Sequence, residues 1–520
     1  MKLIQKKWVV LMLIAILLIG CQKQNNHEDS RSSEKTASPT KHTEHPNIYY
    51  EIFVRSFADS NGDRIGDLNG VISKLDYLKD LGVEGIWLTP IMTSPSYHGY
   101  DVIDYEKVNS DFGTFENVKK LVNEAHKRNI HVIIDLVLNH TSREHPWFQK
   151  ALAGDPIYRN YYVWANQETN LGQLGDYGQQ IWHGNDENIY EGVFSEAMPD
   201  LNYDNPEVRS EMIRVGKFWL EKAGVDGFRL DAAKFIYSSY QASNNHGKNA
   251  DFWKEFHAEM KKVNQNVFLV GEIWASPGVI GPYLKGLNSG FNFELSEKII
   301  KTVKFEQDAG IVNRLIGIRE FYQNNNKSYI DSTFLSNHDT NRIMSEVNGD
   351  IDKAKMAASL LMTLPGTPFL YYGEEIGLEG IKPDEYIREP FIWDMNEDPS
   401  QTKWIDAKYN VNRADKSLSV QMKNNASLFY HYKNLIHARK DSKPLKQGDI
   451  EAVSYNQAGL IAFKRTTEKE EVLVIHNVSK KEITVKNVEK MNNIYYSSYE
   501  NEDVKDTIVL PAYSTLILQK

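Results

Sequence analysis

A single cysteine stands among 520 residues, so Cys21 has no partner for an intramolecular disulfide and the fold must rest on packing. Basic side chains are outnumbered, 60 against 70 acidic ones. The resulting net charge of -10 argues against a nucleic acid held through its phosphates. The apolar run Trp8 to Ile19 is too short to span a bilayer comfortably. Behind Lys2, Lys6 and Lys7 it reads as a secretory signal.

Apolar and charged fractions are those of an ordinary soluble protein, and the length suggests two or three domains. Leu18-Ile19-Gly20-Cys21 resembles the lipobox of bacterial lipoproteins, cut before the cysteine, whose thiol is then acylated. This implies a signal peptide over 1–20, a lipid anchor at Cys21 and a place on the outer face of a bacterial cell membrane. Each buried methylene of such an anchor adds about 0.8 kcal/mol. Residues 21–46 are polar and read as a flexible tether.

From Asn47 strand-like and helix-like runs alternate. Strands are expected in 48–57, 85–90, 131–138, 225–231, 267–272, 290–295, 332–338 and 367–373, with amphipathic helical runs between them. Eight such units predict an α/β fold, a closed (β/α)₈ barrel over 47–139 and 205–440. The stretch 140–204 breaks the rhythm and reads as a small domain inserted after the third strand, since a structureless loop of that length is uncommon. Alternating segments in 441–520 predict an antiparallel β-sandwich.

Four segments share one layout: DLVLNH (Asp135 to His140), GFRLDAAK (Gly227 to Lys234), GEIW (Gly271 to Trp274) and FLSNHD (Phe334 to Asp339). Each ends a buried-looking strand in polar groups, which is costly unless they face a cleft. In a barrel of this kind the strands' C-terminal ends carry the chemistry. Arg229 and Asp231 point the same way on a strand, and the cation favours an ionised, nucleophilic carboxylate. The same pair alone could equally be a buried structural salt bridge. Glu272, beside apolar Ile273 and Trp274, is expected to hold its proton and act as general acid, although a strand-end carboxylate capping a turn is common. Asp339 adds a third acid, and His140 and His338 add donors. Paired carboxylates of opposite protonation are the machinery of glycoside hydrolysis. A metallohydrolase barrel would want a His-x-His pair, and none occurs at these strand ends.

The four segments resemble the signature regions of the α-amylase family of glycoside hydrolases, and MPDLN (Met198 to Asn202) resembles its fifth. The resemblance covers roughly 47–520 and implies a retaining mechanism. Asp231 would be the nucleophile, Glu272 the acid/base and Asp339 the transition-state stabiliser, with Arg229 orienting the nucleophile. It further implies that His98, Tyr100, His140, Lys234, His338, Asp384 and Arg388 contact the substrate.

Two calcium sites are expected. DSNGDRIGD offers Asp59, Asn61, Asp63, the Ile65 carbonyl and Asp67 at alternate positions, as a hard cation needs and as oligo-1,6-glucosidase-like members carry; a solvated Asx-rich turn would look similar. The family's second calcium would use Asn139, Asp200 and the carbonyl of Phe235, where the family usually has His. Ala232, small where α-1,6-cleaving relatives carry Val, and MPDLN imply an α-amylase of the intermediate, lipoprotein-containing group acting on α-1,4 bonds of starch and maltooligosaccharides, with transglycosylation open as a side reaction. An exo-acting α-glucosidase or oligo-1,6-glucosidase is the alternative. Non-catalytic, transporter-associated relatives would be expected to lose the acids that are all present here.

Overall fold

The computed structural model describes residues 45–520 except 239–244, 397, 501–503 and 505. The expected signal peptide, Cys21 and the tether up to residue 44 lie outside the described residues. Among the described residues no helix is long and apolar enough to cross a membrane.

Eight parallel strands close into a barrel in chain order: β1 (Tyr49–Ile52), β2 (Gly85–Leu88), β3 (His131–Leu136), β4 (Gly227–Leu230), β5 (Phe268–Gly271), β6 (Ser289–Phe291), β7 (Ile330–Phe334) and β8 (Thr367–Tyr371). Closure falls on β1, where Tyr49 pairs with Gly85 on one side and Phe369 on the other. The interior is packed with rings. Tyr49, Trp87, Phe268, Phe291, Phe334 and Phe369 form one buried cluster with Ile133 and Val270. Tyr49 stacks on Phe369 at 4.7 Å between centroids. A Cβ at Gly85 would stand 2.4 Å from the Tyr49 ring, so this strand start has room only for glycine.

All eight strands are shorter than the apolar runs that predicted them, and two of those runs turn directly into helices. After β1 the chain turns into a helix, Val54–Phe57, and after β6 it enters Phe293–Phe305. Asn292 causes the second switch: its side chain accepts from the Leu295 amide and starts the helix where a strand to residue 295 was expected.

The strand period of two delivers the site. Ile133 and Val270 face the barrel interior, so Asp135 and Glu272, each two residues on, face the same way nearer the C-terminal mouth. Register then sets Asp135 of β3 directly beside Arg229 of β4.

The inserted segment begins where His140 bridges Asp200, so its two ends meet at the end of β3. It carries two short helices, Pro146–Leu152 and Pro156–Arg159, and a small hairpin of 182–183 with 190–191. Phe148 holds it together, edge-on to Tyr162 and Tyr190.

The C-terminal strands are β9 (Asp449–Val453), β10 (Leu460–Thr466), β11 (Glu471–Asn477), β12 (Ile483–Lys486), β13 (Asn493–Ser497), β14 (Thr507–Leu510) and β15 (Ser514–Gln519). Five form an antiparallel sheet in the order β9-β10-β11-β15-β13, and β12 pairs with β14. Alternation gives the sheet two buried faces. Ala462, Leu473, Ile475, Leu516 and Leu518 pack with Ile508 and Leu510 of β14, whereas Ile461, Phe463, Val472, Val474 and Ile517 join the main core. Arg465 and Arg439, both buried, fasten this sheet and the last barrel helix, Leu428–Asp441, to the C-terminal end of helix Ile351–Thr363 by donating to the carbonyls of Thr363 and of Met362 and Leu364.

Candidate active site

Arg229 is wholly buried at the centre of the site. Its Nη1 donates to Asp135 Oδ1 at 2.8 Å and to Asp231 Oδ1 at 2.7 Å. Its Nη2 lies 2.7 Å from Glu272 Oε2, within ion-pair distance but not aligned as a hydrogen bond. One guanidinium thus touches three carboxylates. Burial, opposed by Arg229, pushes Asp135 up to about 7. Burial raises Asp231 and Glu272 as well; Arg229 pulls each down, and neighbouring acids push each up. Arg229 favours the ionised form of Asp231 as expected, but it works against a larger rise that burial causes.

Asp231 and Glu272 stand just past the ends of β4 and β5. The Asp231 amide donates to the Leu136 carbonyl and the Glu272 amide to that of Leu230, so both are pinned to neighbouring strands. Ala232 then takes a positive φ of 49°, a sharp turn that a bulky or branched side chain resists.

The third acid rests on a different pair. Asp339 Oδ1 accepts from Arg388 Nη2 at 2.9 Å, and its Oδ2 lies 2.9 Å from His338 Nε2. Burial opposes its charge, but His338 and Arg388 hold it far below the usual carboxylate range. Burial likewise opposes a charged His338, yet Asp339 and Glu51 on its two sides raise it to about 10. Arg388 also donates to Asp384, at 3.3 Å. Tyr100 stacks on His338, 5.5 Å between centroids, and its hydroxyl lies 2.6 Å from His338 Nε2 and 3.0 Å from Asp135.

These groups open into a cleft of about 460 Å³, lined among others by His98, Tyr100, Asp231, Glu272, Asp339 and Arg388. The cleft gathers every residue expected to be catalytic or to bind substrate except two, Arg229 and His338, which lie behind its surface. His338 is fully buried and supports Tyr100 and Asp339 from below. Arg229 holds Asp231 and Asp135 and also donates to the Tyr100 hydroxyl at 3.3 Å. His140 reaches the cleft, but its nitrogens already meet Tyr100 O at 3.0 Å and Asn139 Nδ2 at 3.2 Å. Burial keeps it neutral, down at about 4. Lys234 is ion-paired with Asp176 at 2.9 Å.

Residues missed by sequence reasoning are Asp135 and Glu51, the buried partners of Arg229 and His338, and Asp176 and Tyr177 of the insertion. The first two carried a signal: each is an acid inside an otherwise apolar strand, YYEI and HVIIDL, where a charge needs a partner.

Of the expected metal positions, Asp59, Asn61, Asp63 and Asp67 accept from backbone amides of their own loop, Asp67 as the cap of helix Leu68–Ser73. Among the described residues no three acids or histidines are grouped to hold a metal. At the second position Asn139 Oδ1 is buried without a hydrogen-bond partner, and its Nδ2 donates to Asp200 at 2.8 Å. Burial, then Glu191, raises the Asp200 carboxyl well above its ordinary range.

His338 gives a pH prediction. Its folded value of about 10 lies above the ordinary 6.5, so its contribution to stability is complete below 6.5 and is lost as pH rises through about 10. The thermal midpoint of His338→Asn should fall furthest below wild type at pH 6 and approach it near the top of that window; a gap independent of pH would contradict this.

A family model described as the catalytic domain of alpha amylase matches residues 51–448, and one described as the C-terminal domain of the alpha-amylase SusG matches 460–517. The chain is 44% identical over 477 residues to Alpha-amylase 3 of Dictyoglomus thermophilum, covering 91% of this chain and 93% of that protein. It is 36% identical to the 4-alpha-glucanotransferase of Thermotoga neapolitana, covering 85% and 98%. The solved alpha-amylase of H. orenii superposes with a TM-score of 0.86 at 44% identity, covering 92% of this chain and 99% of that one. With its barrel, insertion and C-terminal sandwich, the chain belongs to the α-amylase family.

Proposed function

We propose that the cleft hydrolyses internal α-1,4-glucosidic bonds of starch and maltooligosaccharides with retention of configuration. The observation that carries this is the single guanidinium shared by Asp231 and Glu272. Sharing it keeps the two carboxyl groups close, as a retaining pair requires (roughly 5–5.5 Å). Asp231 attacks the anomeric carbon while Glu272 gives its proton to the departing glycosidic oxygen. Glu272, now ionised, takes a proton from water, whose oxygen displaces Asp231. Burial, which raises Glu272, suits the first step. Asp339, held ionised, offers charge to the developing oxocarbenium ion and the sugar hydroxyls. The 4-alpha-glucanotransferase relative supports a second outcome in which a sugar hydroxyl replaces the water.

Glu272→Gln should reduce maltopentaose hydrolysis by about 10²–10⁴-fold. In its first turnover the same variant should still release a burst of fluoride from a maltosyl α-fluoride, whose leaving group needs no acid. A first-turnover loss on the fluoride equal to that on maltopentaose would remove Glu272 from the acid role.

We also infer a structural calcium ion at the root of the insertion. Asn139, with its orphaned buried oxygen, Asp200 and the carbonyl of Phe235 would hold it. The ion would offset buried acidic charge there and tie the insertion to the barrel. The loop of Asp59, Asn61, Asp63, Ile65 and Asp67 is the second proposed calcium site, resting on its alternating oxygens. A chelator should lower the thermal midpoint, calcium should restore it, and Asn139→Ala should shrink that response; an unchanged midpoint in chelator would refute both sites.

Finally, the lipobox-like Leu18 to Cys21 supports attachment to a bacterial membrane through acylated Cys21. Cys21→Ser should move the protein from the membrane to the soluble fraction, and continued membrane association would rule the anchor out.

A further inference from the structure

Two large aromatic side chains stand exposed beside the cleft, Tyr177 at 59% and Trp274 at 44%. Their ring centroids are 6.5 Å apart, with the planes tilted by 55°. Trp274 is rigid because its indole stacks on Phe293 at 4.7 Å and 6°. Tyr177 sits at the tip of a tight turn in the insertion, closed by Gly175 N donating to Gln179 O at 2.8 Å and tied back by Gln179 Nε2 to Val193 O. Paired exposed rings are a surface made for an apolar face, and the CH-lined face of a pyranose is one.

Their side of the cleft follows from the chemistry. Asp339, Arg388, Asp384 and His98 gather at one end. Trp274 follows the general acid Glu272 by two residues. Glu272 must stand at the oxygen of the leaving sugar, so the rings flank the leaving group. Under retention an incoming sugar takes the same place.

One cation joins the two ring-bearing segments. Lys234 Nζ donates to Asp176 Oδ2 at 2.9 Å and to the Trp274 carbonyl at 3.2 Å. Its side chain is only 13% exposed and lies against Phe235, the Nζ 4.7 Å from that ring's centroid. Asp176 is half-open to water, so this ion pair adds little to the stability of the fold. Its geometric effect is larger, because Asp176 immediately precedes Tyr177.

We propose that Asp176 and Lys234 latch the insertion to the barrel so that Tyr177 and Trp274 form the platform for the leaving and accepting sugar, and that the latch thereby sets how the glycosyl-enzyme divides between water and a sugar acceptor. This rests on the retaining glycosidase reading above. In the transfer branch the acceptor hydroxyl loses its proton to Glu272. Its oxygen bonds to the anomeric carbon as the bond from that carbon to Asp231 breaks. Asp176 is a positioning residue in this scheme and touches no reacting atom.

The test uses the full chain with maltotriosyl α-fluoride as donor and maltose as acceptor. Fluoride departs without needing the platform, so this donor separates the two sides of the cleft. For Asp176→Asn, fluoride release without maltose should stay within about twofold of wild type, while the KM for maltose rises about fivefold at a nearly unchanged transfer kcat. Asp176→Glu should return the acceptor KM to within about twofold of wild type, and Trp274→Ala should raise it at least as far as Asp176→Asn does. An acceptor KM unmoved by Asp176→Asn, or fluoride release falling in step with transfer, would overturn the latch. A wild-type enzyme that releases fluoride but forms no transfer product would overturn it too. A wild-type enzyme inert toward the fluoride would instead overturn the glycosidase reading, and the latch with it.

Discussion

The site depends on one buried guanidinium. Arg229 sits where water cannot solvate it, and its charge is tolerable only because Asp135, Asp231 and Glu272 surround it. The relation is mutual. Three acids drawn toward one mouth by strand register would repel one another and take up protons without the cation between them. The strands place Asp135 beside Arg229, and Arg229 then holds in place the two acids that face the cleft. A second device of the same kind, Glu51–His338–Asp339–Arg388, keeps the third acid charged. Burial pushes the first two acids toward their protonated forms, while the second network keeps Asp339 ionised. Asp339 thereby stays charged beside two acids that burial raises, as a group that must face a developing positive charge requires.

The fold keeps this arrangement rigid. Aromatic rings fill the barrel beneath the charged layer, so neither Arg229 nor His338 can sink or swing. Arg229 lies over the Trp87 ring at 5.2 Å, and His338 meets the same ring edge-on at 5.5 Å. Adaptability is left to the rim, where the insertion reaches the cleft through the turn carrying Asp176 and Tyr177. Rigid strands carry the bond-breaking groups and loops carry the choice of sugar, a division common in barrel enzymes.

The barrel was legible in the sequence because eight apolar runs separated by helical periodicity leave few other architectures. The acids were legible because they end those runs. Strand lengths were harder, since FNFEL is as apolar as a strand and only the cap at Asn292 shows that a helix begins there. The depth of His338 was not legible, because adjacency to Asp339 says nothing about it; the structure seats the ring against Glu51, fully buried. Asp135 and Glu51 could have been found as acids set inside otherwise apolar strands. Tyr177 gave no such signal, because its role depends on where a loop of the insertion comes to rest.

The central claim is that Arg229 holds Asp231 and Glu272 as a close retaining pair. The anomeric form of the first products tests it directly. Proton NMR of maltopentaose digestion, read before mutarotation sets in, should show the α-anomer accumulating first. Initial release of the β-anomer would mean inversion, with a water between more widely spaced carboxyls, and would contradict the account.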